Sequence, residues 1–458
     1  MEQPQDIFLF QKGAYLPGVK CAITTSSSTL IAEPASSPEK VRAIDGKSYN
    51  IVKWGEKNNL PTQIMSSCYK SPIVTAGMNF NCSCTYGDGI IYGRWQVNDN
   101  GKRVFIQDTS NKEINDFFLN NDIDNYIMEQ ANDICWFYNI FPEILLNKKE
   151  GNIKIVGLRH KEAAFSRLEE MDADTGLIKN HFYSAHWGSA TQSNPKIHVT
   201  PILSPFNTVM DLKERMGVEP DKNGKRSTPK NFRFIIPINL PTPGRNYYQK
   251  PYWYSIIESG WLDYSQRIPE FKNALLENQM VIKYHVELSD DYFKSIFQAE
   301  KITEDSAKQE RIKKEYNDLN RFLSTVKNTG KTVISFIRYD AQGKELRRMK
   351  INVIDNKFTG GEYIEDSEEA SNIISYGLGV HPSLIGSSPG KNKNISGSEA
   401  RELFIIKQSM LRPLRDRLLR PLYIIKAFNN WPEDIDFVIP NTTLKTLDSG
   451  SGSERVIS

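Results

Sequence analysis

Cysteine is scarce. Five residues, Cys21, Cys68, Cys82, Cys84 and Cys135, in a chain of 458 cannot staple a fold, and they point to a reducing compartment. Cys82-Ser-Cys84 is the one close pair, and no second Cys or His pair stands at zinc spacing, so packed free thiols are expected and no metal. Long apolar runs are missing too. Nothing approaches the ~18 residues that cross a bilayer, and the first twenty residues lack the basic, apolar, small-residue order of a signal peptide, so a soluble, unexported protein with no membrane contact is expected. Charge of one sign is absent: 58 Lys and Arg against 55 Asp and Glu leave +3, so any contact with nucleic acid must come from local placement. Catalytic signatures are lacking as well, with no G-x-S-x-G, H-E-x-x-H or kinase set. Gly386-Ser-Ser-Pro-Gly390-Lys391 resembles a phosphate loop, but it has three residues between the glycines where a Walker loop has four, and Asn392 replaces the magnesium-binding hydroxyl. No catalytic residue and no cofactor are expected.

What is present suits a globular protein: 39% hydrophobic and 25% charged residues, and a length sufficient for two or three cores. Residues 22–40 are Ser- and Pro-rich without periodicity and read as a mobile arm, with order expected near Tyr49. A helix is predicted from about Pro61, and Ser71-Pro72 has the form of a fresh helix start. Apolar spacing predicts one helix over 113–140, followed by a hairpin turning at Glu150-Gly-Asn. A second hairpin is predicted around Asp172-Ala-Asp-Thr-Gly176, which begins like a calcium loop but lacks the later ligands. His181 and His186 fall on opposite faces of a strand and do not share a metal.

The second half is richer in helix. Ile257, Trp261, Tyr264, Ile268, Phe271 and Leu275 form one stripe, interrupted by Pro269. From Met280 to Asp355 a strand, a charged helix to about Asn328 and a two-stranded hairpin make a small α/β module. Within it, residues 301–350 hold thirteen Lys and Arg against seven Asp and Glu, among them Lys313, Lys314, Arg321, Lys331, Arg347 and Arg348. Such an excess is either a solvated helix face or a surface for a phosphate backbone or a protein partner. Glu362, Glu365, Asp366, Glu368 and Glu369 cluster at a helix start, where they complement the dipole; metal binding is an alternative. Ser396-Gly-Ser-Glu399 has capping-box spacing, so a helix should begin there. In that helix Leu411, Leu414, Leu418, Leu422 and Ile425 form the apolar stripe, Arg412, Arg415, Arg417 and Arg420 take the remaining surface, and Pro413 and Pro421 bend it.

Tyr86-Gly-Asp-Gly89, the stem-like helix after Pro251, and the run Tyr376-Gly-Leu-Gly-Val-His-Pro-Ser-Leu-Ile-Gly leading through Lys391-Asn392-Lys393-Asn394 to Leu-Arg-Pro-Leu resemble the portal protein of tailed bacteriophages over about residues 49–430. The resemblance implies an α+β, portal-like fold: a flexible arm (1–48), an α+β wing (49–250), a first stem helix (251–279), a small α/β clip (280–355), a second stem helix (356–379), a channel loop (380–397), a long kinked wing helix (398–430) and a C-terminal segment with a small or absent crown (431–458). It implies a ring of twelve subunits at one capsid vertex, a conduit for packaging and ejecting double-stranded DNA without sequence preference. Its partners would be the major capsid protein, the large terminase subunit and a head-tail adaptor. The location would be the virion, and the host cytoplasm during assembly. Lys391, Asn392, Lys393 and Asn394 would touch DNA, the acidic cluster would repel it as a channel wall, and the basic clip surface would meet terminase or DNA. Trp261, Tyr264, Phe271, Leu414 and Leu418 would pack subunits. The alternatives are a non-portal virion adaptor and a metal-dependent nucleic-acid enzyme.

Overall fold

The structure is a computed structural model that describes residues 38–149, 151–188, 196–221, 224–245, 247–279, 284–288, 290–324, 364–386 and 396–444, with Gln342 and short strands at 8–10, 13–16, 21–24, 338–339, 345–346, 349–353 and 453–456. It divides into two compact units, Met1–Gln266 with Ile364–Ser458, and Arg267–Tyr363.

The first unit is assembled from helices that local chemistry starts and stops. Ser71 Oγ accepts from the amide of Val74, and Pro72 sits in the first turn of the helix Pro72–Tyr86. The helix predicted over 113–140 is two, Lys112–Asn120 and Ile123–Phe137, because Asp122 enters the left-handed region at φ 45° and breaks the run. The break lets Ile114 and Phe117 of one piece and Ile123, Ile127 and Ile134 of the other reach the same core. Small antiparallel sheets surround these helices. Glu143–Leu146 lies between Ile155–Arg159 and Arg233–Ile235, and Asn180–Tyr183 lies between Ser166–Leu168 and His198–Pro201. In the turn between the strands Ser166–Leu168 and Asn180–Tyr183, the Asp172 carboxylate accepts from the amides of Asp174 and Thr175 and pairs with Lys179 at 2.6 Å, which spends its oxygens within the turn. His181 is buried and His186 exposed.

One terminal expectation needs correction. The arm expected over 1–48 contains order: Glu39–Arg42 pairs with Ser48–Ile51, and Ala43 and Ile51 are buried with Phe182 and Ile197. The residues 8–10, 13–16 and 21–24 also form a three-stranded antiparallel sheet. At the other end, Asp436–Val438 pairs with Ile91–Val97, which also pairs with Arg103–Gln107, while Trp431, Ile435 and Phe437 join the main core. The expected first stem helix is likewise two pieces, Ser255–Glu258 and Trp261–Gln279, separated at Gly260, whose φ of +83° ends the first.

The second unit has the strand Tyr284–Leu288 paired antiparallel with Met349–Val353, and a hairpin of Arg338–Tyr339 with Glu345–Leu346. Its expected single helix is two, Asp290–Ala299 and Asp305–Ser324. Arg311 ties them together, donating to Glu300 at 2.9 Å and Glu315 at 2.7 Å, and Tyr292 donates to Glu315 at 2.7 Å. Phe293 stacks on Phe297 and meets Tyr316 edge-on.

Candidate functional site

The stretch from Ile364 to Asn429 carries most of the expected contacts with DNA and with other subunits, and its glycines explain its geometry. Helix Ile364–Gly377 ends where Gly377 crosses Ile256 so closely that a Cβ would lie 2.3 Å from Ile256 Cγ2. Two residues on, Gly379 turns the chain at φ +64° and its carbonyl accepts from Lys407 Nζ at 3.1 Å. Asn81 fixes the turn from the side, donating to the Leu378 carbonyl at 2.9 Å. His381 then caps the short helix Pro382–Ile385, its Nδ1 accepting from the amide of Ser383. The Gly-x-Gly-Val-His-Pro run is therefore a compact helix-turn-helix corner.

Beyond that corner, Lys391, Asn392, Lys393 and Asn394 lie outside the described residues, as do Glu362, Lys331, Arg347 and Arg348. The next helix, Gly397–Ser409, begins at Ser396, whose Oγ accepts from the amide of Glu399 at 3.1 Å. The expected kinked helix is two helices, since Met410 and Leu411 form a turn and Pro413 sits in the first turn of Arg412–Asn429 instead of bending a continuous rod. Pro421 lies inside the second.

Burial corrects several expected roles. Leu418, Leu422 and Ile425 are wholly buried in the subunit's own core, and Leu414 packs against that core, so Leu418 is not available to a neighbouring subunit. Arg415, expected on the surface, is buried: it donates to the carbonyls of Cys84 at 2.7 Å and Thr85 at 3.3 Å and to Asn441 Oδ1. It thus places a cation at the C-terminal end of helix Pro72–Tyr86, where the carbonyls carry the negative end of the dipole. Burial lowers its pKa from the usual arginine value. Trp261 packs on the core, while Tyr264 and Phe271 are exposed. Of the acids, Glu365 and Glu369 are exposed, and Asp366 and Glu368 half-buried. Lys313, Lys314 and Arg321 are exposed on helix Asp305–Ser324.

A buried acid and base in mutual contact lie apart from these elements. Burial pushes the Asp133 carboxyl up to about 8 and the His160 imidazole down to about 4, so both are uncharged at neutral pH. Gln130 donates to His160 Nδ1, which leaves Nε2–H to donate to Asp133 Oδ2 at 3.2 Å, and Ala163 donates its amide to the same oxygen at 2.7 Å. Asp133 Oδ2 is thereby engaged by its own core. Among the described residues no group of three or more His, Cys, Asp or Glu is placed to hold a metal, and no helix is long and apolar enough to cross a membrane.

No protein-family model matches the sequence, and no curated protein does. Solved structures match it. A chain in the neck of an empty gene transfer agent particle computed with C6 symmetry is 12% identical at a TM-score of 0.50, over 82% of this chain and 83% of that one. A chain in the neck of the native particle computed with C12 symmetry is 13% identical at a TM-score of 0.50, over 88% of this chain and 86% of that one. The virion of the native particle holds a further match, 13% identical at a TM-score of 0.49 over 82% of each chain. At these identities the likeness is one of fold: this mixed helix and sheet chain, with its small antiparallel sheets, shares its fold with chains of a gene transfer agent neck.

Proposed function

We propose that the chain is a portal protein: copies of it close a ring in the neck of a phage-like particle, and double-stranded DNA passes through that ring during packaging and ejection. The observation that carries the reading is the fold shared along 88% of the chain with a chain from a neck computed with C12 symmetry. The order of elements supports it, because the unit Arg267–Tyr363, which begins within helix Trp261–Gln279 and ends just before helix Ile364–Gly377, interrupts the larger unit, the sequence order of a clip between stems. The role is structural and not enzymatic, with a separate motor docking on the ring. Lys313, Lys314 and Arg321 supply a basic face for that motor or for the DNA backbone, and the loop carrying Lys391 and Lys393 touches the moving duplex through weak, salt-screened phosphate contacts.

The test is made in particles. With Lys391→Ala and Lys393→Ala combined, rings assemble as in the wild type while packaged or retained DNA falls. Normal packaging and retention in that variant removes the loop from the DNA path. Nucleotide hydrolysis by the purified chain that vanishes with Lys391→Ala would make the protein an enzyme.

A further inference from the structure

Helix Gly397–Ser409 buries none of its side chains, although Leu403-Phe404-Ile405-Ile406 is a run of four apolar residues. Ile405, Ile406 and Met410 are 50%, 57% and 69% exposed. A helix of about this length is marginal in water on its own, and contiguous exposed apolar surface of this kind marks contact with another molecule. The helix that follows behaves differently: Arg412–Asn429 sinks nine residues into the core of its own subunit. The helix Gly397–Ser409 and the turn after it therefore leave Ile405, Ile406 and Met410 exposed, while Leu403, Phe404 and Lys407 on its other side are half-buried among the described residues.

Charge indicates what covers it. Glu365 and Glu369 are exposed on helix Ile364–Gly377, and no ion pair joins either of them to a base among the described residues. Arg412, exposed at the end of the apolar patch, has no acid partner among the described residues either. It stands at the start of a helix whose first turn holds no acidic residue, so the helix dipole adds to its attraction for a carboxylate. A subunit that exposes two acids on one helix and an apolar patch bordered by Arg412 on another is suited to head-to-tail contact, in which each copy uses different surfaces toward its two neighbours.

We propose that helix Gly397–Ser409 is the seam between copies of this chain, with Ile405, Ile406 and Met410 packed on the next copy and Arg412 paired with Glu365 and Glu369 of the partner subunit. The proposal rests on the ring reading above. It moves Glu365 and Glu369 from the channel wall expected of them to the subunit boundary. The apolar side chains supply the contact energy and the charges fix its register, since interfacial ion pairs contribute more to orientation than to affinity.

The experiment measures ring population by mass photometry and negative-stain imaging, with thermal melting of each variant as a control for folding. Ile406→Asp and Met410→Asp are expected to melt as the wild type does and to lower the ring population at least tenfold at equal concentration. Arg412→Glu and Glu369→Arg each lower it, and the two combined in one chain restore it. Rings at wild-type abundance with Ile406→Asp, or a double charge swap no better than the single changes, overturn the seam while leaving the ring reading intact. A wild-type chain that never forms rings overturns both. Should the aspartate variants fail to fold, the charge-swap series alone decides, because its residues are exposed.

Discussion

Asp133 shows how one buried side chain sets a measurable property. Its carboxyl is held near 8 by burial, far above its value in an unfolded chain, so the stability it contributes is complete at low pH and is lost as pH rises toward 8. His160 works in the opposite sense. Its imidazole is depressed to about 4, so its contribution is present above about pH 6.5 and lost as pH falls through about 4. Of these two groups only Asp133 acts between pH 6.5 and 8, and it is expected to remove about 1–2 kcal/mol of stability across that window. Asp133→Asn keeps an acceptor for the Ala163 amide and removes the ionisation, so urea denaturation of this variant should show a flat profile over the same window. An unchanged slope would place the titrating group elsewhere. Residue-scale features divide sharply in how legible they were. Ser396, Ser71 and the Asp172 turn were readable because their partners lie within seven residues of chain. Arg415 was not, since it was assigned to the surface by helical periodicity while its acceptors, the carbonyls of Cys84 and Thr85, are more than three hundred residues away.

Among the elements, the helix starts were legible and the breaks were not. The runs 113–140, 257–275 and 398–430 each have continuous apolar spacing, yet each is divided, at Asp122, Gly260 and Met410-Leu411 respectively. An aspartate in the left-handed region carries no sequence signal of its own, whereas Gly260 offered one that the periodicity overrode. Strand pairing was the least readable feature. Asp436–Val438 pairs with a strand some 340 residues earlier, a contact set by the packing of Trp431 and Phe437 and not by any local turn. The corner at Gly377 gives the element-scale prediction. Gly377→Ala would drive a methyl group into Ile256 Cγ2 and should cost about 1–3 kcal/mol. In an Ile256→Ala background the same change should cost markedly less, and a double-mutant cycle by denaturant unfolding measures the difference. Equal costs in both backgrounds would mean that the corner relaxes by moving backbone.

On the scale of the whole molecule, a single chain is one part of a ring under the portal reading. Its cores are closed by its own residues, including Leu418, which was expected at a subunit boundary, while Ile405, Ile406 and Met410 remain open to solvent. The portal resemblance was legible in the Gly-x-Gly-Val-His-Pro corner and in the order of helices. The packing surface was not, because periodicity shows that a helix has an apolar face without showing whether its own subunit covers it. The most direct test is averaged electron images of the purified protein. The account predicts closed rings with a central hole wide enough for a DNA duplex. A chain that stays monomeric at high concentration across several salts, or that assembles only into open or irregular aggregates without a hole, would contradict it.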